Sequence, residues 1–245
     1  MSLSLDYRQY HVVSHIDEVR SQQLIDAILN DSLVSEKVFR DNWRTLSARV
    51  RFQNESLLLK VPRARNGRRW ERFLTLFRGS DALRTFQQLQ QLSSMGFSTP
   101  DPVLACESRR NGVVVDSFVC YRFVEGRPAS SEDANKVLAV LRALHQRGYL
   151  RSDAQLANFV VAEDKVTFID FRLKKPWLLP RLQKARELDR FLRSCPDARR
   201  FLSSEEASSG WLRVASYLES VSFGFRDLKR RVRKRVKTTS RSAQK

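Results

Sequence analysis

Arg151-Ser-Asp-Ala-Gln-Leu-Ala-Asn158 stands twelve residues ahead of Asp170 in Val166-Thr-Phe-Ile-Asp-Phe171. An aspartate, an asparagine five positions on and a second aspartate closing a hairpin supply one proton acceptor and two hard oxygen ligands of the kind magnesium prefers. Phosphoryl transfer rests mainly on positioning and charge neutralisation, so it needs few side chains. In this reading Asp153 accepts or orients the proton of an attacking hydroxyl, and Asn158 and Asp170 hold the metal. The plain alternative is that Asp153 and Asn158 cap a turn and Asp170 ends a strand.

The flanking segments fit the chemical reading. Ser130 with Asp133 starts a helix over 132–147, in which Val137, Leu138, Leu141 and Leu144 share one face, and Gly148 ends it. After the loop, residues 159–169 alternate as a hairpin with Asp164 at its turn.

Upstream, residues 37–40, 45–52 and 57–61 read as three short antiparallel strands, and 99–106 and 112–124 as two more. Lys60 closes the third strand behind three leucines. It is either an edge residue whose ammonium reaches solvent or a charge aimed at a phosphate. The loop 62–72 carries Arg63, Arg65, Arg68, Arg69 and Arg72 and suits either solvent or an anionic substrate. Ser80-Asp81 starts a helix with Leu83, Phe86, Leu89 and Leu92 on one face. Asp81 serves that helix start or pairs with Lys60, and Glu71 is the other candidate partner. Residues 17–30 have helical spacing, and Glu125-Gly-Arg-Pro128 breaks the strand pattern. The expected division is therefore 1–124 as a sheet-rich nucleotide-binding lobe, 125–225 as a mainly helical lobe with the catalytic loop, and 226–245 as a basic helix or tail.

The 245 residues, 42% hydrophobic, suffice for a real core, and a net charge of +18 calls for an anionic partner. No apolar run approaches the ~18 residues that cross a bilayer, and residues 1–20 lack the apolar stretch of a signal peptide. Cys106, Cys120 and Cys195 read as reduced packing residues, and His11 with His15 lacks a third metal ligand. The lack of a bilayer-crossing run and of a signal-peptide stretch leads to the expectation of a cytoplasmic protein.

With these residues in place, the sequence resembles the bacterial lipopolysaccharide core heptose kinases of the RfaY/WaaY type, members of the wider kinase-like superfamily. The resemblance rests on Lys37-Val-Phe-Arg40, Leu59-Lys60-Val61, Glu71-Arg-Phe-Leu74, Phe77, Gly79 to Asp81, Asp153 to Asn158, Ile169-Asp170, Lys184-Ala-Arg186 and Glu187 to Arg190. It implies an α+β, protein-kinase-like two-lobed fold with an antiparallel-sheet N-lobe. It also implies ATP and Mg2+ as cofactors and phosphorylation of a heptose in the lipid A-core at the cytoplasmic face of the inner membrane. Asp153 would be the base, Asn158 and Asp170 the metal ligands, Lys60 the nucleotide-binding lysine and Asp81 its partner. The sequence departs from kinases at large in three places: no glycine precedes Gly67, Arg172 stands where a glycine is usual, and Arg151 where a histidine is common.

Trp211, Val214, Leu218, Val221, Phe225, Leu228, Val232 and Val236 recur at steps of three or four, drawing one helical stripe. Residues 226–245 hold ten Lys/Arg against one Asp, which is half of the whole charge. The first part of this helix is expected to pack on the larger lobe and its end to lie on an anionic membrane. No zinc-finger, RNP or KH pattern accompanies the basic run, so nucleic acid is not expected as a partner. A soluble sugar or aminoglycoside kinase and a catalytically silent binding module are the readings left beside the lipopolysaccharide kinase.

Overall fold

The computed structural model describes residues 2–63 and 69–221, with only the backbone of 69–72. Two compact units divide the chain: Met1–Arg127 with Val160–Asp170, and Pro128–Phe159 with Phe171 onward. The division thus falls at Arg127 where the sequence suggested Val124, and the hairpin before Asp170 belongs with the first unit. The expected basic helix 226–245 and Arg65 and Arg68 of the basic loop lie outside the described residues.

The first unit is built on a seven-stranded sheet of order β1-β2-β6-β7-β5-β4-β3. Its strands are β1 (Leu3–Tyr7), β2 (Tyr10–Ser14), β3 (Val34–Asp41), β4 (Thr45–Phe52), β5 (Glu55–Pro62), β6 (Pro102–Arg110) and β7 (Val113–Arg122), and every pair is antiparallel. The meander β3–β5 matches the sequence expectation, whereas the hairpin β1–β2 was not foreseen. In β2, Tyr10, Val12 and Ser14 alternate inward, a true strand signal, but the turn uses Arg8 in a left-handed conformation (φ 52°) in place of glycine.

Helix α1 (Glu18–Leu29) is capped by Asp17, whose carboxylate accepts from the Arg20 amide, and buries Leu24 and Ile25 against Val12, Val50, Leu57, Leu104 and Phe118. Helix α2 (Arg69–Arg78) occupies part of what the arginine count suggested was loop. Helix α3 (Asp81–Ser94) starts at Ser80, whose hydroxyl accepts from the Leu83 amide, and buries Phe86, Leu89 and Leu92. His11 and His15 fall in and just after β2, beside Asp6 and Gln90 respectively. All three cysteines are free and buried.

Glu107 on β6 ties this helix start to the sheet. Its carboxylate, 4% exposed, accepts from the Ser80 amide (2.9 Å) and pairs with Arg109 (2.6 Å). Burial pushes the Glu107 carboxyl up, but Arg109 and the Ser80 bonds outweigh it and hold it below the usual 4.5. A depressed carboxyl stabilises the fold above its unfolded value, and that contribution is lost as pH falls through its folded value. Glu107→Gln should therefore cost ~1–2 kcal/mol at neutral pH. The gap from wild type should close below about pH 4.5 in thermal denaturation followed against pH.

Short β8 (Arg127–Pro128) precedes the hairpin of β9 (Phe159–Ala162) and β10 (Lys165–Phe168), which turns through Glu163 and Asp164, both left-handed (φ 47° and 65°) as a two-residue turn demands. Phe168 anchors it, donating its amide to Ser98 O (3.0 Å) and setting its ring edge-on to Phe97.

In the second unit, α4 (Ala134–Gln146) buries Val137, Leu138, Leu141 and Leu144 as its periodicity required, and a capping box joins Ser130 and Asp133. Helix α5 (Pro180–Ser194) begins with proline at its first turn, and α6 (Ser204–Ser208) is one short helix. Residues 210–221 are helical. The stripe expected to pack is exposed there: Trp211, Val214, Leu218 and Val221 face outward, and the helix buries Leu212, Ala215 and Glu219 instead. Glu219 is held by Arg186 (2.7 Å), an ion pair that fixes which face turns inward.

Candidate active site

Strand alternation sets Lys60. On β5, Leu57 and Leu59 enter the core with α1, so Lys60 points to the other face, opposite Val119 in the ladder and beside Tyr121. There its Nζ donates to Asp170 Oδ1 at 2.8 Å, and Tyr121 also hydrogen-bonds to it. Burial, the largest influence, works against the charged amine, yet Tyr121 and Asp170 hold Lys60 above the usual 10.5. The Tyr121 phenol is pushed up by burial.

Asp170 lies two residues beyond the end of β10 and adopts a left-handed backbone (φ 48°), a conformation aspartate tolerates well. Its carboxylate is 63% exposed. The first unit thus brings together two of the residues singled out in the sequence, the lysine and an oxygen ligand. Asp81 sits in the first turn of α3 with its carboxylate 3.5 Å from Arg84, and the ion pair of Lys60 goes to Asp170. Glu71 belongs to the residues described by backbone alone.

The second unit holds Asp153 and Asn158. Asn158 closes a single 3-10 turn (Leu156–Asn158), and its Nδ2 donates to Asp153 O (3.1 Å). That bond commits the amide nitrogen to the loop's own backbone. Asp153 is half-buried.

Ser152 fixes the loop before Asp153. It is left-handed (φ 78°), its amide donates to Glu187 Oε1 (2.6 Å), its carbonyl accepts from Arg190 Nη1 (2.6 Å), and its hydroxyl donates to Arg172 O (2.8 Å). Glu187, 4% exposed, also meets His145 Nε2 at 2.8 Å, so one carboxylate joins α4, α5 and the loop. Arg151 is fully buried, with its guanidinium 4.3 Å from the Phe159 ring centroid and 3.3 Å from Asn158 O. Arg151 therefore builds the loop from within.

Tyr121 carried no signal in the sequence beyond an aromatic residue in a strand. Glu187 and Arg190 stand in the stretch that carried the family resemblance, but their roles emerge only from the hydrogen bonds. Glu187→Gln keeps one acceptor and loses the charge facing His145 and Ser152. It should lower kcat by about tenfold with KM for nucleotide nearly unchanged, as read by steady-state kinetics.

The tip of the β3–β4 hairpin stands where a glycine-rich loop is absent. Asn42 Oδ1 accepts from the Arg44 and Thr45 amides (2.9 and 3.0 Å), Arg63 pairs with Asp41, and Arg44 lies 4.7 Å over the Trp43 ring. An Asx turn thus replaces glycines in shaping this tip.

Magnesium takes one or two protein oxygens and completes its shell with phosphates and water. In the first unit Asp170 offers an exposed carboxylate, and in the second Asn158 carries an amide oxygen. Among the described residues no cluster of three or more His, Cys, Asp or Glu offers an all-protein metal cage.

The model of the family "Lipopolysaccharide core biosynthesis protein (WaaY)" matches residues 1–195. The lipopolysaccharide core heptose(II) kinase WaaY of Escherichia coli (strain K12) is 27% identical over 177 residues, covering 67% of this chain and 75% of its own. The structure of WaaP in complex with acyl carrier protein superposes with a TM-score of 0.50 at 18% identity, over 83% of this chain and 90% of that one. A thermostable mutant of aminoglycoside phosphotransferase APH(4)-Ia gives a TM-score of 0.47 at 12% identity, over 84% of this chain and 94% of that one. The fold is α+β and protein-kinase-like, with an antiparallel sheet in its first unit and mainly helices in its second.

Proposed function

The chain belongs to the lipopolysaccharide core biosynthesis (WaaY) family, and from this premise we propose that it transfers the γ-phosphoryl group of ATP to a heptose hydroxyl of the lipid A-core. The observation that carries the chemistry is the Lys60–Asp170 ion pair at 2.8 Å. It joins a cation suited to the α and β phosphates to a carboxylate suited to magnesium. The similarity to a heptose(II) kinase supports the acceptor.

Lys60 holds the nucleotide phosphates with its ammonium anchored by Asp170 and Tyr121. Asp170 and Asn158 would hold magnesium, which would supply charge neutralisation on the transferring group. Asp153 accepts the proton of the heptose hydroxyl as that oxygen bonds to phosphorus and the bond to the ADP oxygen breaks. Glu187, Arg190 and Arg172 keep Ser152, and hence Asp153, in place. Asp81, in the first turn of α3, is the further partner assigned to Lys60 when nucleotide binds.

The proposed place of action is the cytoplasmic face of the inner membrane, where residues 226–245, with ten Lys/Arg against one Asp, meet anionic lipid. No helix among the described residues is long and apolar enough to cross a membrane. Incubating the purified protein with γ-labelled ATP, magnesium and lipid A-core lacking heptose phosphate tests the activity. Label should enter the core fraction, and label appearing only in free phosphate would refute the acceptor.

A further inference from the structure

Between Asp170 and α5 the chain displays three consecutive large apolar side chains to solvent. Trp177 is 88% exposed, Leu178 58% and Leu179 54%. Large apolar groups clustered on a surface mark an interaction site, because leaving them in water is unfavourable. Lys174 and Lys175 precede them and Arg181 follows, all exposed, and among the described residues no carboxylate pairs with any of the three.

The tip is held at both ends. Leu150 and Lys174 exchange two backbone hydrogen bonds at 2.8 Å, with Leu173 buried beside them. On the far side Gln183 Nε2 donates to Leu178 O (2.6 Å), and the Gln183 amide donates to Leu179 O (3.0 Å). Leu179 itself is left-handed (φ 48°), where glycine or asparagine fits with less steric cost. An apolar side chain thus stands where a polar turn residue would be easier to accommodate.

The same ladder carries the catalytic loop. The Arg172 amide donates to Arg151 O (2.9 Å), and Ser152 Oγ donates to Arg172 O (2.8 Å), next to the Leu150–Lys174 pair. Asp153 lies three residues beyond Leu150 and Trp177 three beyond Lys174. Each is thus within about 10 Å of chain from one shared pair of backbone bonds.

We propose that Trp177, Leu178 and Leu179 form a bilayer-inserting tip that holds the catalytic loop at the surface of an anionic membrane. Tryptophan and leucine seat at the boundary of headgroups and acyl chains, while flanking lysines and arginines meet anionic headgroups. A sugar acceptor on a lipid anchor would meet Asp153 at the height the tip sets. This rests on the membrane part of the proposed function and assigns insertion to an element other than the basic tail.

Full-length protein is mixed with vesicles of equal parts phosphatidylglycerol and phosphatidylethanolamine, with or without brominated acyl chains. Wild type should bind and show indole quenching that Trp177→Phe largely removes. Trp177→Ser with Leu178→Ser should partition at least about tenfold more weakly, with an unchanged melting temperature because both side chains are exposed. Equal binding by the double variant together with undiminished quenching in Trp177→Phe would overturn the insertion while leaving tail-mediated membrane binding intact. Failure of wild type to bind vesicles would remove the membrane reading and the tip with it. If the double variant instead converts a dimer to monomer and binds vesicles as wild type does, the tip is a self-association surface and the proposal falls.

Discussion

Replacing Asp153 with alanine should leave a folded protein that binds nucleotide normally and transfers phosphoryl groups about 10²–10⁴-fold more slowly. The loop does not depend on the Asp153 side chain for the contacts that shape it. Its carbonyl accepts from Asn158, and Ser152 beside it is held by Glu187, Arg190 and Arg172 O. An alanine retains that carbonyl, so the melting temperature should move little. The loss should fall on kcat with the KM for ATP nearly constant, because the proton acceptor acts on the sugar hydroxyl and not on the nucleotide. If Asp153 is only a turn residue, the variant will keep its turnover.

The second large effect concerns Lys60 and Asp170. Asp170→Ala should abolish measurable transfer, at least about 10²–10³-fold, since it removes a metal ligand and the anchor of Lys60 together. It should also cost ~1–3 kcal/mol of stability, because a largely buried ammonium loses its carboxylate. The raised Lys60 value means the pair contributes fully below about pH 10.5 and fades only as pH rises through the folded value. The penalty should therefore be flat across neutral pH. Adding Lys60→Met to Asp170→Ala should restore much of the stability and none of the activity, a double-mutant comparison read by thermal denaturation and turnover. A pair that is merely structural would show activity returning with stability.

Much of this site is legible in the residues themselves. Asp153, Asn158 and Asp170 are separated by a fixed spacing, and the hairpin alternation before Asp170 identifies its element without any structure. Lys60 is legible for a related reason: Leu59 and Val61 on either side of it pack with the core, which commits it to the opposite face. What the sequence hides is partnership. It offered Asp81 or Glu71 as a partner for Lys60, both close in sequence order, and it gave no sign of the hydrogen bond that reaches across 110 positions to Asp170.

The same limit explains the fold differences. Residues 3–14 hide a hairpin because Arg8 takes the left-handed turn position that glycine would advertise. Arg69 to Arg72 look like loop by charge, but α2 begins there. Along 210–221 the apolar stripe is real and turns outward, because the buried Glu219, paired with Arg186, selects a neighbouring face. Periodicity gives the angular spacing of a face, and only a tertiary partner decides whether it is covered.

The most direct test of the central claim is mass spectrometry of core oligosaccharide from cells lacking the gene and complemented with wild type or Asp153→Ala. Wild type should restore one phosphate on a core heptose and the variant should not. An unchanged phosphate content across all three strains would contradict heptose phosphorylation by this protein.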